Sequence, residues 1–378
     1  MINDRPTELI VRLDRILENY NNIKEKLNNK ELMAVVKADA YGHGSKTVVN
    51  YLYNNGVKYF AVTTLEEALE LREVVKDGTI LVLGVTNPDN INYAIENNIS
   101  LCCPSLFWLK DAIENLKKYE GTLKLHLKID SGMSRIGLAN EEEAIEANEL
   151  LKNDKIFLEG IFTHYANADD VDDEYDIFQR ENYKNIVKHI TIKPKYIHHE
   201  NTAATMKYYN EDFDFNLVRV GIALYGSYPS DYIKDKSNIE IKNVSSLVSK
   251  VVHVKKVSGK TKIGYGCTYE SEQEEYIATV PIGYRDGLVR AAQGFKVIIN
   301  GSLCEIVGRV CMDQIMIRCP ENVNIGDNVL FYGEQDGNQI KIEDYADHLN
   351  TINYEVYCIL GQRVPRRYYV GDEEVEKL

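Results

Sequence analysis

The sequence has no long hydrophobic run. No apolar stretch approaches the roughly 18 residues that a membrane-spanning helix needs, although 44% of the 378 residues are hydrophobic. The first residues, Met1–Pro6, contain no apolar core of the kind that secretory signals carry. We therefore expect a cytoplasmic protein with no membrane partner.

Disulfide and zinc motifs are also absent. The seven cysteines form no CxxC pair and have no regular spacing, a pattern that suits the reducing cytosol better than a disulfide scaffold. His198 and His199 are adjacent, and neighbouring residues of a strand point to opposite faces. The sequence therefore predicts neither a structural zinc site nor a metal shared by these two histidines.

Positive charge is scarce relative to negative charge. The chain has 44 Lys and Arg against 58 Asp and Glu, which gives a formal net charge of −14. This balance argues against nucleic acid or an anionic membrane surface as the main partner. The length is sufficient for two domains of ordinary globular composition.

What the chain does contain is a regular alternation of strand and helix patterns. Short apolar runs without polar alternation predict buried parallel strands, and helical patterns separate them. The eight predicted strands are Met33–Lys37, Tyr59–Thr63, Thr79–Leu83, Ile99–Cys103, Leu123–Ile129, Phe157–Thr163, Lys195–His199 and Leu217–Tyr225. Eight such units predict an α/β fold of the (β/α)8 TIM-barrel type, with a doubly wound sheet as the alternative.

The pattern changes after the polar, irregular segment Tyr228–Asn243. Beyond it the sequence predicts a series of strands that begins with Ser246–Val257, and a hairpin turn at Asn300-Gly301 joins two of them. We expect an α/β barrel domain over residues 1–235 and a mostly β domain over residues 236–378. The strand predicted at residues 7–13 precedes the barrel pattern and could belong to the C-terminal sheet.

Lys37 ends the first predicted barrel strand, just before a turn with two glycines. Catalytic groups of barrels lie at the carboxyl ends of the strands. Burial there lowers the pKa of a lysine and makes its amine a usable nucleophile or base. The alternative is a lysine that reaches out of the strand end to a carboxylate such as Asp39, and position alone leaves both interpretations open.

Seven motifs, in chain order, resemble the alanine racemase family. They are Val36–Gly44, Leu127–Gly137, Gly160–His164, Asn216–Gly226, Gly264–Tyr269, Val307–Gln314 and Thr351–Glu355. The likeness covers nearly the whole chain. It implies a pyridoxal phosphate (PLP) enzyme with an eight-stranded barrel and a C-terminal β domain, which interconverts L- and D-alanine and supplies D-alanine for peptidoglycan.

The resemblance implies a reaction with two bases. Lys37 would hold PLP as a Schiff base and exchange the Cα proton of D-alanine, while Tyr265 would act on L-alanine from the opposite face. Because an ordinary tyrosine is a poor base at neutral pH, the family connects it to His164 and Arg219. Arg219 would also face the pyridine nitrogen, where most PLP sites place a carboxylate.

The resemblance also assigns residues to the cofactor and the substrate. The implied cofactor contacts are Lys37, Tyr41, Arg135, Asn201, Thr202, Arg219, Gly221, Ile222 and Tyr354, with Thr202 standing where the family usually has serine. Arg135 and Met312 would bind the substrate, and Lys128, Cys311, Asp313 and Tyr284 would support the site. Tyr265 and Met312 would come from the partner subunit of a head-to-tail homodimer with two shared sites.

Lys128 has two interpretations. In the family this lysine is commonly carbamylated, which turns a cation into an anion that can orient Arg135. The residues alone are equally compatible with an ordinary ion pair between Lys128 and Asp130, since strand alternation puts both on one face.

Three other functions stay open at this stage. The chain could be a broad-specificity or serine racemase, because one methylene discriminates by only about 1–3 kcal/mol. It could be a PLP-dependent decarboxylase with the same two-domain plan, which would not need Tyr265 in the same setting. A PLP-carrying protein without enzymatic activity would not need the β domain that contains Tyr265 and Met312.

Overall fold

The computed structural model describes residues 5–211 and 214–375. The strands are β1 (Glu8–Arg12), β2 (Glu31–Val35), β3 (Tyr59–Val62), β4 (Thr79–Val82), β5 (Ser100–Cys103), β6 (Leu123–Lys128), β7 (Ile156–Phe162), β8 (Tyr196–His198), β9 (Leu217–Val220), β10 (Ser245–Lys250), β11 (His253–Val257), β12 (Lys262–Ile263), β13 (Tyr269–Glu270), β14 (Glu275–Val280), β15 (Lys296–Ile299), β16 (Ser302–Val307), β17 (Ile315–Cys319), β18 (Asn328–Gln335), β19 (Asn338–Ile340), β20 (Arg366–Val370) and β21 (Glu373–Val375).

The helices lie mostly between the strands of the first part of the chain. They are α1 (Leu13–Lys24), α2 (Lys37–Gly42), α3 (Ser45–Asn54), α4 (Leu65–Arg72), α5 (Ile91–Glu96), α6 (Leu106–Leu116), α7 (Glu141–Leu150), α8 (Glu174–Val187), α9 (Thr202–Tyr208), α10 (Asp231–Lys236), α11 (Ile342–His348) and α12 (Asn353–Cys358). Short 3-10 helices span Pro88–Asn90, Ile222–Tyr225, Tyr265–Cys267, Tyr284–Asp286 and Arg290–Ala292. None of the helices in the described ranges has the length and apolar content to cross a membrane.

The chain divides into two compact units. One contains the residues up to Arg15, Tyr41–Gly44 and the chain from Asn243 onward, and the other contains Ile16–Ala40 and Ser45–Lys242.

The second of these units is a nearly closed parallel barrel. Its eight strands follow the order β8-β7-β6-β5-β4-β3-β2-β9, and every pairing between them is parallel. The strand residues are almost all buried, as expected for strands that are covered on both faces. The predicted fold class, an α/β barrel followed by a mostly β part, is confirmed.

Polar residues at the strand-to-helix turns determine where several barrel helices begin. Thr64 and Glu67 form a capping box at α4. The side chains of Ser105, Asn140 and Asn201 accept a backbone N–H at the starts of α6, α7 and α9. Such caps satisfy donors that the first helical turn leaves unpaired. They also fix where the loops at the carboxyl ends of the strands give way to helix.

The other unit is built on one large sheet. Its strands follow the order β11-β14-β17-β16-β15-β18-β10-β1-β20-β21, and β19 pairs with β18. The strand predicted at residues 7–13 lies in this sheet as β1, antiparallel to β10 and parallel to β20. Asn300 and Gly301 join β15 to β16 with positive φ at both residues, as a tight hairpin turn requires.

Two strand predictions were too long. The run Leu217–Tyr225 is strand only to Val220 and continues as a buried 3-10 helix that Gly226 ends with φ of 90°. The run Ser246–Val257 is two strands, β10 and β11. In the first case the apolar run indicates burial, which strands and other buried backbone share. In the second, the chain leaves its pairing with β18 and pairs with β14 instead, and most residues of β11 are exposed.

Candidate functional site

Lys37 begins a left-handed helical turn at the carboxyl end of β2. Ala38, Asp39, Ala40 and Tyr41 all have φ between 52° and 55°. The left-handed region costs an L-residue about 1–2 kcal/mol, so this turn needs support from its surroundings. The Ala38 N–H donates to the Glu67 carboxylate at 2.7 Å, and the Asp39 carboxylate accepts the Ser45 N–H at 2.7 Å. The backbone that follows the half-buried Lys37 is therefore held in an unusual but fixed shape.

The guanidinium of Arg219 is fixed inside the barrel by five acceptor atoms. Its Nη1 donates to Nδ1 and the carbonyl of His198, at 2.7 and 3.0 Å. Its Nη2 donates to the Thr163 carbonyl at 2.8 Å, His164 Nδ1 at 3.2 Å and the His199 carbonyl at 3.2 Å. Within the described residues only Nε of the three nitrogens has no acceptor. Burial lowers the pKa of Arg219 to about 9, which still leaves it charged at neutral pH.

His164 is a neutral imidazole with its proton on Nε2. Burial and the positive charges of Arg219 and Lys128 hold its pKa well below the ordinary value. Because Arg219 donates to Nδ1, the single proton of the neutral ring resides on Nε2. Asn201 Nδ2 lies 3.5 Å from that nitrogen and is itself a donor, so this contact is no hydrogen bond in the assigned tautomer. His164 therefore presents an N–H donor.

A chain of buried hydrogen bonds leads from Arg219 into the barrel interior. His198 accepts from Arg219 on Nδ1, so its Nε2 donates to His126 Nδ1 at 2.7 Å. His126 then donates to the Glu159 carboxylate at 3.3 Å, and Ser100 donates to the same oxygen. Burial alone would raise the pKa of Glu159, but the bonds from His126 and Ser100 lower it. The sequence analysis missed His126 and Glu159, although polar residues inside otherwise apolar strands were a usable signal.

The two adjacent histidines do face opposite ways. His198 points into the barrel, whereas the His199 ring packs against Tyr183 with 4.2 Å between ring centroids. In residues 5–211 and 214–375 no group of three His, Cys, Asp or Glu side chains is arranged to hold a metal ion.

Lys128 is buried without a carboxylate partner. Its Nζ donates to the Ile129 carbonyl at 2.8 Å and lies 5.5 Å from the centre of the Phe162 ring. No ion pair joins it to Asp130 or to any other described acid within 4.0 Å, so the simple ion pair considered for these two residues is not formed. Burial and the nearby Arg219 lower the pKa of Lys128 to about 8, so that its amine is mostly charged at neutral pH but has a small neutral fraction.

The loop that contains Arg135 is shaped by Asp130. The Asp130 carboxylate accepts the backbone N–H groups of Gly132 at 3.1 Å, Ser134 at 2.9 Å and Arg135 at 3.0 Å. Arg135 itself is exposed and lines a cleft of about 640 Å³ together with Trp108. Its guanidinium is accessible to a small anion.

Thr202 and Asn201 lie where β8 gives way to α9. The Thr202 hydroxyl accepts the Gly221 N–H at 2.9 Å, which leaves its own proton available for another acceptor. The Asn201 side chain accepts the Ala204 N–H at 3.0 Å and caps the helix. Ile222 follows Gly221 as the first residue of a 3-10 helix. A threonine at 202 therefore keeps the hydroxyl that a phosphate contact needs.

The residues predicted in the β-rich unit are largely exposed. Tyr265 is 70% exposed, Met312 51% and Tyr284 43%. Gly283 lets the Tyr284 turn meet the Met312 loop, because a Cβ there would lie 2.4 Å from the carbonyl oxygens of Cys311 and Met312. The Tyr284 N–H donates to the Cys311 carbonyl at 3.0 Å. Backbone contacts between these two turns thus hold Tyr284 and Met312 at the surface.

An ion network supports the same turns. Arg363 donates to Asp313 at 2.8 Å and to Asp286 at 3.0 Å, and Arg5 donates to Asp286 at 2.7 Å. Elsewhere in this unit, the Tyr41 and Tyr354 rings lie 6.3 Å apart. Burial raises the pKa of Tyr41, which therefore keeps its phenolic proton at neutral pH.

Comparisons with known proteins match alanine racemases along nearly the whole chain. The family models described as alanine racemase, N-terminal domain, and alanine racemase, C-terminal domain, match residues 11–229 and 244–368. An alanine racemase of Staphylococcus carnosus is 42% identical over 375 residues, 96% of this chain and 95% of that protein. The structure of alanine racemase from Bacillus anthracis with bound L-Ala-P superposes with a TM-score of 0.93 at 38% identity, covering 100% of this chain and 98% of that one.

One structural neighbour has a different named substrate. A histidine racemase from Leuconostoc mesenteroides superposes with a TM-score of 0.90 at 30% identity, covering 97% of this chain and 99% of that one.

Glu200 is a buried acid to which the sequence analysis assigned no role. Its side chain is 1% exposed, and neither carboxyl oxygen has a hydrogen-bond partner in the described part of the chain. Burial raises the pKa of Glu200 to about 8, while the charges of Lys30, Arg180 and Arg219 oppose that shift and Glu211 adds to it. The folded protein therefore keeps Glu200 protonated at pH values where the unfolded chain has lost the proton.

We expect Glu200→Gln to make the protein more stable at pH 8 than the unmodified chain, with little difference at pH 4.5. The raised pKa of Glu200 means that the free energy of unfolding of the unmodified protein falls as pH rises from about 4.5 to about 8, because in this range only the folded state still binds the proton. A shift of this size corresponds to at most about 5 kcal/mol. Urea unfolding of both proteins at both pH values, at equal protein concentration, measures the difference in their free energies of unfolding.

The matched control is Glu211→Gln, which changes an exposed acid beside the same arginine, Arg180. It should leave the pH dependence of unfolding nearly unchanged. Parallel pH profiles for the Glu200→Gln variant and the unmodified chain would contradict a buried neutral acid at position 200.

Proposed function

This chain belongs to the alanine racemase family of isomerases, and we propose that it interconverts L- and D-alanine with PLP as its cofactor. The observation that carries the proposal is the fixed guanidinium of Arg219, which leaves Nε open to an acceptor and sets the tautomer of His164. PLP, when bound, withdraws electron density from Cα of the amino acid so that its proton can leave.

The described residues suit this cofactor. Lys37 lies at the carboxyl end of a barrel strand, where its amine would bind the PLP aldehyde. Thr202, Gly221 and Ile222 lie together at two strand ends and would bind the phosphate. The family resemblance also assigns Tyr41 and Tyr354 to the phosphate. A permanent cation at Arg219 would leave the pyridine nitrogen unprotonated. This limits the spread of charge into the ring and favours return of the proton to Cα over transamination.

Two side chains would exchange the Cα proton from opposite faces. Lys37 would serve the D-alanine side and Tyr265 the L-alanine side, because one base cannot remain within about 3 Å of both faces. The Nε2–H of His164 would donate to the Tyr265 oxygen and stabilise its anionic form. Arg135 and the Met312 backbone N–H would bind the substrate carboxylate.

Lys128 would act on Arg135 as a carbamate. A carbamate would form when the neutral amine adds to carbon dioxide and releases a proton, and the pKa of Lys128 of about 8 provides a fraction of that neutral form. The resulting anion would also compensate the positive charges of Arg135 and Arg219. A crystal structure that showed an unmodified Lys128 amine would contradict this part of the proposal.

We further propose that Tyr265 and Met312 act in the site of a partner subunit, within a head-to-tail homodimer. Their exposure, 70% and 51%, supports a second chain that covers them. The seven cysteines form no CxxC pair and have no regular spacing, which supports a cytoplasmic enzyme. There its D-alanine would serve peptidoglycan synthesis.

The activity is tested with protein that has been saturated with PLP. NMR measures how fast this protein incorporates solvent deuterium at Cα of alanine. We expect a visible absorbance band of bound PLP and faster exchange with alanine than with serine or histidine. Tyr265→Phe should lower turnover by about 10²–10⁴-fold, because a positioned base is lost. Tyr276→Phe, on a strand of the same unit, is the control and should retain full turnover.

Each result has a distinct meaning for the proposal. A protein without the PLP band would exclude the cofactor, and faster exchange with serine or histidine would replace alanine as the substrate. Turnover of Tyr265→Phe equal to that of the unmodified protein in both directions would exclude the second base.

Shared sites are tested by mixing two inactive variants, Lys37→Ala and Tyr265→Phe, under conditions that exchange subunits. If each site combines Lys37 of one subunit with Tyr265 of the other, a mixed dimer contains one intact site. Random pairing of equal amounts should then restore about one quarter of the full activity. A mixture that stays inactive although mass spectrometry detects mixed dimers would exclude shared sites.

A further inference from the structure

Gln179 joins two loops that contain candidate site residues. One loop follows β6 and contains Arg135, and the other follows β7 and contains His164. Gln179 lies on α8 and is completely buried, at 0% exposure. Its amide lies between the two loops and contacts both.

Each polar atom of the Gln179 amide is used. Its Oε1 accepts the Ala166 N–H at 2.8 Å. Its Nε2 donates to the His164 carbonyl at 3.0 Å and to the Ser131 hydroxyl at 3.3 Å. Because a backbone N–H needs an acceptor and a carbonyl needs a donor, only one orientation of the amide satisfies both contacts.

The direction of the hydrogen bonds beyond Ser131 is also determined. The Ser131 and Thr163 hydroxyls are 2.6 Å apart, and the Thr163 hydroxyl donates to the Ile129 carbonyl at 2.9 Å. A hydroxyl has one proton, so Ser131 must donate to Thr163. The buried chain therefore runs from Gln179 through Ser131 and Thr163 to Ile129, with every proton assigned.

Thr163 connects this chain to Arg219. The carbonyl of Thr163 accepts from Arg219 Nη2 at 2.8 Å, and the next residue, His164, accepts from the same nitrogen on its ring. Gln179 thus anchors the backbone of His164 from one side while Arg219 anchors its ring from the other. Fully satisfied buried networks of this kind are rigid, and removal of one member leaves the others unpaired.

We propose that Gln179 is a positioning residue for the tyrosine side of racemisation, because it fixes the place from which His164 donates. The inference rests on the proposed function, in which His164 assists the base that acts on L-alanine. Gln179 makes no polar contact with Lys37 in the described structure. Its loss should therefore slow proton transfer on one face of the substrate and spare the other.

The test compares Gln179→Met with Asn182→Leu. Methionine keeps the length of the side chain and removes the amide. Asn182 donates to the Ser131 carbonyl at 3.0 Å, so its replacement loosens the same loop after β6 without touching the backbone of His164. Primary isotope effects are measured with Cα-deuterated L-alanine and D-alanine on protein that has been saturated with PLP.

For Gln179→Met we expect kcat to fall by about tenfold, since small displacements of a catalytic group have effects of this order. The isotope effect should rise for L-alanine, whose Cα–D bond breaks in the slowed step. It should fall for D-alanine, whose Cα–D bond breaks before that step. For Asn182→Leu both isotope effects should match those of the unmodified protein, whatever its loss of thermal stability.

The proposal would be overturned if the isotope effects for L-alanine and D-alanine changed equally in a folded Gln179→Met protein, or if neither changed. If this variant does not fold, Gln179→Asn keeps an amide but shortens the side chain by one methylene, which withdraws the donor from the His164 carbonyl, and the same asymmetry is required of it. An unmodified protein that exchanges no alanine proton would instead contradict the proposed function, and this inference with it.

Discussion

The guanidinium of Arg219 is the group on which the rest of the candidate site depends. A cation buried in a barrel is costly unless its donors find acceptors, and here backbone carbonyls and two histidine rings provide acceptors for both Nη1 and Nη2. The arrangement has a second effect, because each ring that accepts from Arg219 must present its proton on the opposite nitrogen. One cation thereby determines that His164 is a donor and that His198 donates to His126. The proton positions follow from charge and geometry and need no further residue to select them.

The electrostatic balance around Arg219 explains several neighbours. Positive charge accumulates where Arg219, Lys128 and Arg135 approach one another, and it keeps His164 neutral. The ionised Glu159 lies at the far end of the histidine chain and compensates Arg219 through two neutral rings rather than by direct contact. The Glu200 carboxyl is close enough to affect the pKa of Arg219 but makes no hydrogen bond to the guanidinium; the two residues are joined only through the backbone, where the Arg219 N–H donates to the Glu200 carbonyl at 3.1 Å. The barrel thus relays a counter-charge to the buried Arg219 and holds a second acid, Glu200, that burial keeps neutral.

The sequence predicted the barrel strands well, because continuous apolar runs are typical of strands buried on both faces. Its errors arose where the same runs continue into other buried backbone, as in the 3-10 helix after Val220. The resemblance brought Lys37, His164, Arg219 and Thr202 to strand ends of one barrel. It could not reveal Gln179, since a glutamine on an amphipathic helix looks like any other polar residue until its neighbours in space are known. Lys128 shows the same limit, because strand alternation suggested Asp130 as its partner but could not show that backbone N–H groups already occupy that carboxylate.

The left-handed turn after Lys37 has a consequence for which sequences can occupy this strand end. A side chain branched at Cβ would suffer most in that backbone region, where even an unbranched Cβ crowds the following carbonyl. The chain has alanine at positions 38 and 40, the smallest side chains other than glycine, and a glycine at 42. Substitution here is therefore limited by backbone handedness before any question of chemistry arises. A mutational survey of these positions would show which side-chain shapes the left-handed backbone tolerates. Invariance of Ala38 or Ala40 would therefore be no sign that their methyl groups contact a substrate.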